Sequence, residues 1–322
     1  MAYCLPERRV DNRELARQLG IDQAGLDFFD AAGPRSRYYA ENGQGPSDLA
    51  KVAAEMALHE AGMTASDVEF LIFARMTPDD TFPGAGCYLQ NKLGCGTVGA
   101  LDLRGQCSGF LFALDVADQF VRAGAYRRVL VAAGDVHSSA LDFSPSGMDV
   151  TPLFGDGAAA WVMSDAGDEI VAIVIHTDAT DFERFWCEFP SSRRRPTRFM
   201  VEDLAGKRHH PTLDREFVQR DGLARIRSAI EEVLQKSSTS PDRVAMFFLQ
   251  HVYRNTALAA ADALGFSGRA LIGGLDEGHI ASASLPIALC RARASGAVKK
   301  GDLVCLATAG AGMTSGAALL RL

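Results

Sequence analysis

A cysteine at a strand-to-helix junction and two histidines at related strand ends are the residues of this chain best suited to chemistry. Cys107 follows the segment Val98 to Leu103 through Arg104-Gly105-Gln106 and opens a run, Phe110 to Ala117, that is apolar on nearly every side. A helix of that composition belongs in the middle of a molecule. A thiol on its first turn faces unpaired backbone amides and the positive end of the helix dipole, which favour thiolate and lower the thiol pKa. These residue types suit nucleophilic attack on a carbonyl, and a buried structural cysteine is the competing reading.

The histidines are tied to Cys107 by an internal repeat. A helix from Ser47 to Ala61, closed by Gly62, and a strand at Val68 to Ala74 have later counterparts in a helix at Gly222 to Gln235 and a strand at Val244 to Gln250. The strand Val98 to Leu103, the apolar helix, Ala123-Gly124-Ala125 and the strand Val129 to Ala133 recur as Ala270 to Leu275, a helix through Leu289, Ser295-Gly296-Ala297 and Leu303 to Ala307. Equating Gly124 with Gly296 gives an offset of 296 − 124 = 172, and 107 + 172 = 279 is a histidine. Equating Val68 with Val244 gives 244 − 68 = 176, which sets His251 opposite Arg75. The repeat predicts that Cys107 and His279 open two helices that converge on one centre, with His251 at a strand end beside them. Satisfied structural histidines are the alternative.

Each half closes with a glycine-rich turn into a strand of small residues, Gly155-Asp156-Gly157 and Gly310-Ala311-Gly312. Amides in such a turn can approach a ligand with no side chain in the way, as an oxyanion hole requires. A tight packing turn explains the same residues. The expected architecture is α/β, two duplicated halves spanning 1–164 and 165–322. Between them Phe182 to His210 lacks a clean period and carries Arg193, Arg194, Arg195 and Arg198, read as an excursion loop. These guanidinium groups suit an acidic carrier protein or a phosphorylated arm, a solvated loop is the competing reading, and Arg254 is a further candidate for carrier docking.

Composition excludes several function classes. The 322 residues are 48% hydrophobic and 23% charged, with 33 basic against 40 acidic groups, a net charge of −7. A phosphate-backbone binder needs a basic surplus, so nucleic acid is not expected as a partner. No apolar run of about 18 residues occurs, so neither is a membrane. With Glu7, Arg8 and Arg9 where a secretion signal would be apolar, the expected location is cytoplasmic. The seven cysteines are scattered without a C-x-x-C pair, so neither a disulfide frame nor a metal site is expected.

From about Cys4-Leu5-Pro6 to Leu322 the chain resembles the thiolase superfamily, specifically the β-ketoacyl-acyl-carrier-protein synthase III group. The resemblance is carried by Asp102 to Gly109, Leu153 to Ala158, Gln250-His251, Gly278 to Pro286 and Gly310 to Gly316. It implies the five-layered α-β-α-β-α thiolase fold. It also implies an acyl-Cys107 thioester that condenses with a malonyl-type thioester after decarboxylation, with His251 as helper. The oxyanion hole would be the amides of Cys107 and Gly312, and the substrate pocket would include Phe82, Phe154 and Ser282. Phe82, before Pro83, matches a position that reaches into a partner subunit, which implies a homodimer. Substrates would be thioesters of acyl carrier protein or coenzyme A, with no further cofactor.

Three departures accompany the resemblance. The family asparagine is His279 here, which can act as a base and would also suit plain acyl transfer to an oxygen, nitrogen or sulfur acceptor. A catalytically silent subunit of a heterodimer is a further reading. The residues before Gly33 lack the tryptophan and arginine that clamp coenzyme A, which favours a carrier protein as donor. The first core strand is expected to be missing, because the chain begins almost at the Leu5-Pro6 element.

Overall fold

The computed structural model describes residues 1–193 and 200–322. Elements are numbered in chain order. One five-stranded sheet, in the order β1-β7-β6-β4-β5, is built from β1 (Ala2–Cys4), β4 (Phe70–Ala74), β5 (Gly99–Leu103), β6 (Arg128–Val136) and β7 (Asp156–Ser164). The second holds β8 (Glu169–Thr177), β11 (Met246–Gln250), β12 (Ala270–Ile272), β13 (Leu303–Gly310) and β14 (Thr314–Arg321). Read from its other edge, its order is β8-β14-β13-β11-β12. Position by position this is the first sheet again, with the central strands parallel and the closing strand antiparallel in both. Two short ribbons pair β2 (Arg8–Asp11) with β3 (Ser36–Tyr39) and β9 (Phe185–Trp186) with β10 (Thr212–Leu213).

The helices fill three layers. α3 (Pro46–Glu60) and α4 (Ala85–Leu93) cover the outside of the first sheet, and α5 (Gly109–Arg122) and α9 (Ser284–Ala294) lie between the sheets. α7 (Arg215–Lys236) and α8 (Arg254–Ala263) cover the outside of the second. Because successive residues of a strand point to opposite faces, Leu71 and Phe73 of β4 pack under α3 while Ile72 and Ala74 pack against the central helices. Both faces of each sheet are thus covered, giving the α-β-α-β-α layering of the thiolase fold. α1 (Asn12–Leu19), α2 (Gln23–Ala32) and the short α6 (Val201–Ala205) lie among the connections.

Local rules place the boundaries. The Asp214 carboxylate accepts from Phe217 N at 3.1 Å, so α7 begins at Arg215, seven residues before the predicted Gly222. After α5 and α9 the equivalent residues Gly124 and Gly296 take φ of 69° and 73°, each ending its helix in the left-handed conformation that glycine adopts without strain. The first core strand, expected to be missing, is present: β1 pairs antiparallel with β7 through Ala2↔Ala160 and Cys4↔Ala158. It has three residues where its counterpart β8 has nine. The excursion loop lacks a period because it is made of pieces too short to show one, β9, α6 and β10.

The repeat also slips. α5 has 14 residues and α9 has 11, so an offset of 172 at the helix ends becomes 284 − 109 = 175 at their starts. The structural counterpart of Cys107 is therefore Ser282, and His279 lies in the loop one turn earlier. The preceding residues, Gln106 and Ala281, agree: both have positive φ, 48° and 36°.

Candidate active site

Cys107 sits in the single 3-10 turn Gln106–Ser108 that joins β5 to α5, one turn ahead of the helix rather than on its first turn. It is 2% exposed. Burial dominates its ionisation and pushes the thiol up to about 12, with Asp135 adding to the rise and the Ala311 amide opposing it. The lowered pKa expected from the helix dipole is therefore not found, because a dry environment penalises the thiolate more than the helix end favours it.

The structure supplies a proton acceptor instead. His279 Nε2 lies 3.2 Å from Cys107 Sγ. The imidazole is 1% exposed and is held well below its ordinary range by burial, with His137 and His251 adding to the effect, so it rests neutral. Its position is set by main chain: His279 N donates to Leu153 O at 2.9 Å and Gly155 N donates to His279 O at 3.2 Å. This bridge requires glycine on both sides. A Cβ on Gly155 would strike Glu277 O, and one on Gly278, whose φ is 80°, would strike Gly155 N.

His251, at the end of β11, comes near but does not meet the sulfur. Its Nδ1 accepts from Tyr253 N at 3.1 Å and its Nε2 donates to Val218 O at 3.2 Å, so both nitrogens are bound to backbone. The ring lies against α7 where Gly222 leaves room for it, since a Cβ there would collide with Nε2. His251 and His279 share a small cleft with Arg254 and Gly273.

The glycine-rich turn lies against the cysteine. Of its amides, that of Ala311 favours the Cys107 thiolate, as does the amide of Cys107 itself. Gly312, with φ of 120°, packs beside Thr314 and the Gln106 side chain. Gly310 is the position nearest the nucleophile, where a Cβ would overlap both Cβ and Sγ of Cys107. Gly310→Ala is expected to lower stability by about 1–3 kcal/mol and to slow modification of Cys107 at least about tenfold. Denaturant melts and iodoacetamide labelling read by peptide mapping at residue 107 would measure both, and unchanged labelling there would contradict this packing.

The 3-oxoacyl-[acyl-carrier-protein] synthase III family model matches residues 101–179, and its C-terminal model matches 234–322. The β-ketoacyl-[acyl-carrier-protein] synthase III of Rhodospirillum centenum is 31% identical over 98% of this chain and 96% of its own. The chain belongs to the β-ketoacyl-acyl-carrier-protein synthase III family. The synthase III of Rhizorhabdus wittichii is 33% identical over 98% of the chain and 96% of its own length. The crystal structure of 3-oxoacyl-[acyl-carrier-protein] synthase III from Aquifex aeolicus superposes with a TM-score of 0.88 at 27% identity, covering 100% of this chain and 98% of that one. The priming β-ketosynthase of the R1128 polyketide pathway matches with the same TM-score and identity, covering 100% and 94%.

In this synthase III chain the remaining predicted residues fall in different places. Phe154 is a wall of the site, its ring 5.4 Å from that of His279 and edge-on to it. Ser282 does not face a pocket: it is fully buried and donates to Ala74 O at 2.9 Å, pinning the second half onto the first. Phe82 is 88% exposed. Arg254 donates to the carbonyls of Asp30 and Ala31 at 2.9 and 2.6 Å, capping α2 at the mouth of the histidine cleft. Arg193 is exposed beside a surface cleft lined by Phe182, Trp186 and Phe189. Arg194 and Arg195 lie outside the described residues. Among the described residues no cluster could hold a metal ion, and no helix is long and apolar enough to cross a membrane.

Two residues at the end of β6 escaped the sequence reading. The buried Asp135 carboxylate accepts from the amides of Met76 and Thr77 at 2.6 and 2.8 Å, and burial raises it to about 6. His137 is buried against Phe154. The available signal was the apolar run Val129 to Gly134 ending in Asp135-Val136-His137, polar groups at the carboxyl end of a central strand.

These buried groups predict acid sensitivity. Burial holds His137 and His251 down to about 4, so each adds stability above its ordinary value of 6.5 and loses it as pH falls toward 4. That is on the order of 3 kcal/mol each at 1.36 kcal/mol per pH unit. Asp135, raised from 3.8 to about 6, works the other way and returns a similar amount over that interval. With His279 adding to the loss, the urea midpoint is expected to fall between pH 7.5 and pH 4.5. A midpoint that holds or rises would show that the imidazoles are not buried neutral.

Proposed function

We propose that this synthase loads an acyl group from a thioester onto Cys107 and condenses it with a malonyl-type thioester. The observation that carries the reading is the contact between Cys107 Sγ and His279 Nε2 in a dry site onto which the Ala311 amide points. As sulfur attacks the thioester carbonyl, the thiol proton passes to Nε2. The oxyanion is held by the amides of Ala311 and Cys107, and the carrier thiol departs with the proton. The malonyl thioester then loses carbon dioxide, its carbanion attacks the acyl carbon, and the carbon-carbon bond forms as Cys107 thiolate leaves and takes up a proton from solvent. In this second step His279, released from the thiol and in the tautomer with its proton on Nε2, donates to the malonyl carbonyl, and His251 assists once substrate displaces its bond to Val218. No cofactor beyond the thioesters enters these steps.

An acyl carrier protein fits as donor of at least one thioester, with Arg254 of the histidine cleft and the exposed Arg193 as cationic contacts. We also propose a cytoplasmic homodimer of two-part subunits, 1–164 and 165–322. Supporting the dimer are β5, an exposed edge strand of the first sheet, and the exposed Phe82. Phe82→Ser is expected to weaken dimerisation at least about tenfold in sedimentation equilibrium. A variant that dimerises as the wild type does would remove Phe82 from the interface.

Intact mass after exposure to acyl and malonyl thioesters on coenzyme A and on carrier protein tests the function, with carbon dioxide release measured in parallel. The reading requires acyl-Cys107 and carbon dioxide together. Acylation without carbon dioxide would replace condensation by transfer to another acceptor, and no acylation at all would point to a silent subunit.

A further inference from the structure

Three buried imidazoles lie close enough to influence one another, with His279 against the reacting sulfur, and the proposed steps use two. The third, His137, is 6% exposed and follows β6 on the first sheet. Its ring centroid lies 4.8 Å from that of Phe154, which also has the His279 ring at 5.4 Å. The chain of contacts from Cys107 therefore runs through His279 and Phe154 to His137.

A buried imidazole at rest normally has its nitrogens satisfied. His251 does, with one nitrogen accepting from Tyr253 N and the other donating to Val218 O. His137 differs: among the described residues no group pairs with its Nε2, although that atom is buried. His279 Nδ1 is in the same condition. Two unpaired imidazole nitrogens on either side of one phenylalanine are unfavourable in a protein that binds only hydrocarbon there. They suit a ligand that brings oxygen. Both rings rest neutral, so the open nitrogen donates to a carbonyl, carboxylate or hydroxyl oxygen in the tautomer that protonates it and accepts from a hydroxyl in the other.

We propose that His137 is a specificity-determining residue, whose Nε2 hydrogen-bonds an oxygen on the substrate chain that lies against Phe154. The proposal rests on the functional reading above for the delivery of that substrate. The oxygen has two possible sources, a substituent on the acyl chain loaded onto Cys107 or the carboxylate of the malonyl-type extender.

Two arms separate the sources. In the first, acylation of Cys107 by butyryl and 3-hydroxybutyryl thioesters is followed by intact mass. If the oxygen is on the acyl chain, the wild type favours the hydroxylated chain at least about tenfold, and His137→Leu abolishes the preference. In the second, KM for the malonyl thioester is measured on acylated enzyme. If the oxygen is on the extender, His137→Leu raises KM at least about tenfold with a smaller change in kcat. His137→Gln, which keeps a donor, should retain most of whichever effect is seen, which a packing role would not predict. Wild-type indifference to the hydroxyl together with an unmoved KM in both variants overturns the proposal. Failure of every thioester to acylate wild-type Cys107 overturns the functional reading instead. Should His137→Leu not fold, the wild-type preference and the His137→Gln kinetics decide alone.

Discussion

Cys107→Ala is expected to take up no acyl group from any thioester, a loss of at least about three orders of magnitude in acylation. The side chain is 2% exposed, and the one-atom truncation leaves only a small void, so the variant should stay folded. Six other cysteines are present, and two of them, Cys87 and Cys187, are exposed, so iodoacetamide would label those and give a false positive. Acylation read by peptide mapping avoids the ambiguity: the acyl group should be found on the peptide holding residue 107 and vanish in the variant. Acylation persisting elsewhere would move the nucleophile to another residue and dissolve the site described above.

His279→Ala should have the second largest effect, lowering acylation about 10²- to 10⁴-fold. Burial pushes the Cys107 thiol up to about 12 and keeps it protonated at pH 7, so attack needs a base to take the proton as the bond forms. His279 Nε2, 3.2 Å from the sulfur, is the group placed to do so. His279→Asn is the sharper variant, because an amide restores the residue type that the family resemblance expects but cannot accept the proton. Acylation should be slowed in both variants and should recover as pH is raised. If acylation proceeds at the wild-type rate while condensation fails, His279 acts only on the malonyl group.

Much of this arrangement is legible in the residues. The apolar run after Cys107 identifies a central helix, and the repeated strand-helix-strand order yields the two matching sheets. His251 is found because strand ends are local and countable. What is missed depends on lengths and on the third dimension. Placing His279 by adding 172 reaches the right residue for the wrong reason, since α9 is one turn shorter than α5 and the true counterpart of Cys107 is Ser282. The thiol pKa is misjudged because the helix end is visible in sequence and the dryness of the site is not. Which amide of Gly310-Ala311-Gly312 faces the sulfur depends on backbone torsions in a turn whose third residue has φ of 120°. His137 is overlooked because its importance lies in an unpaired atom, which no sequence pattern encodes.

The crossing of Gly155 and Gly278 bears on how such an enzyme tolerates change over generations. Thiol and imidazole come from different sheets, yet the bridge that sets their relative position is written in peptide groups, His279 N to Leu153 O and Gly155 N to His279 O. Side chains in the wide apolar layer between the sheets can therefore be exchanged for others of similar volume, at some expense in stability, while the reacting atoms keep their alignment. Drift in the core is buffered from catalysis. A single methyl group at residue 155 or 278 has no such buffer, because it would part the two backbones at the point where the chemistry is held in register.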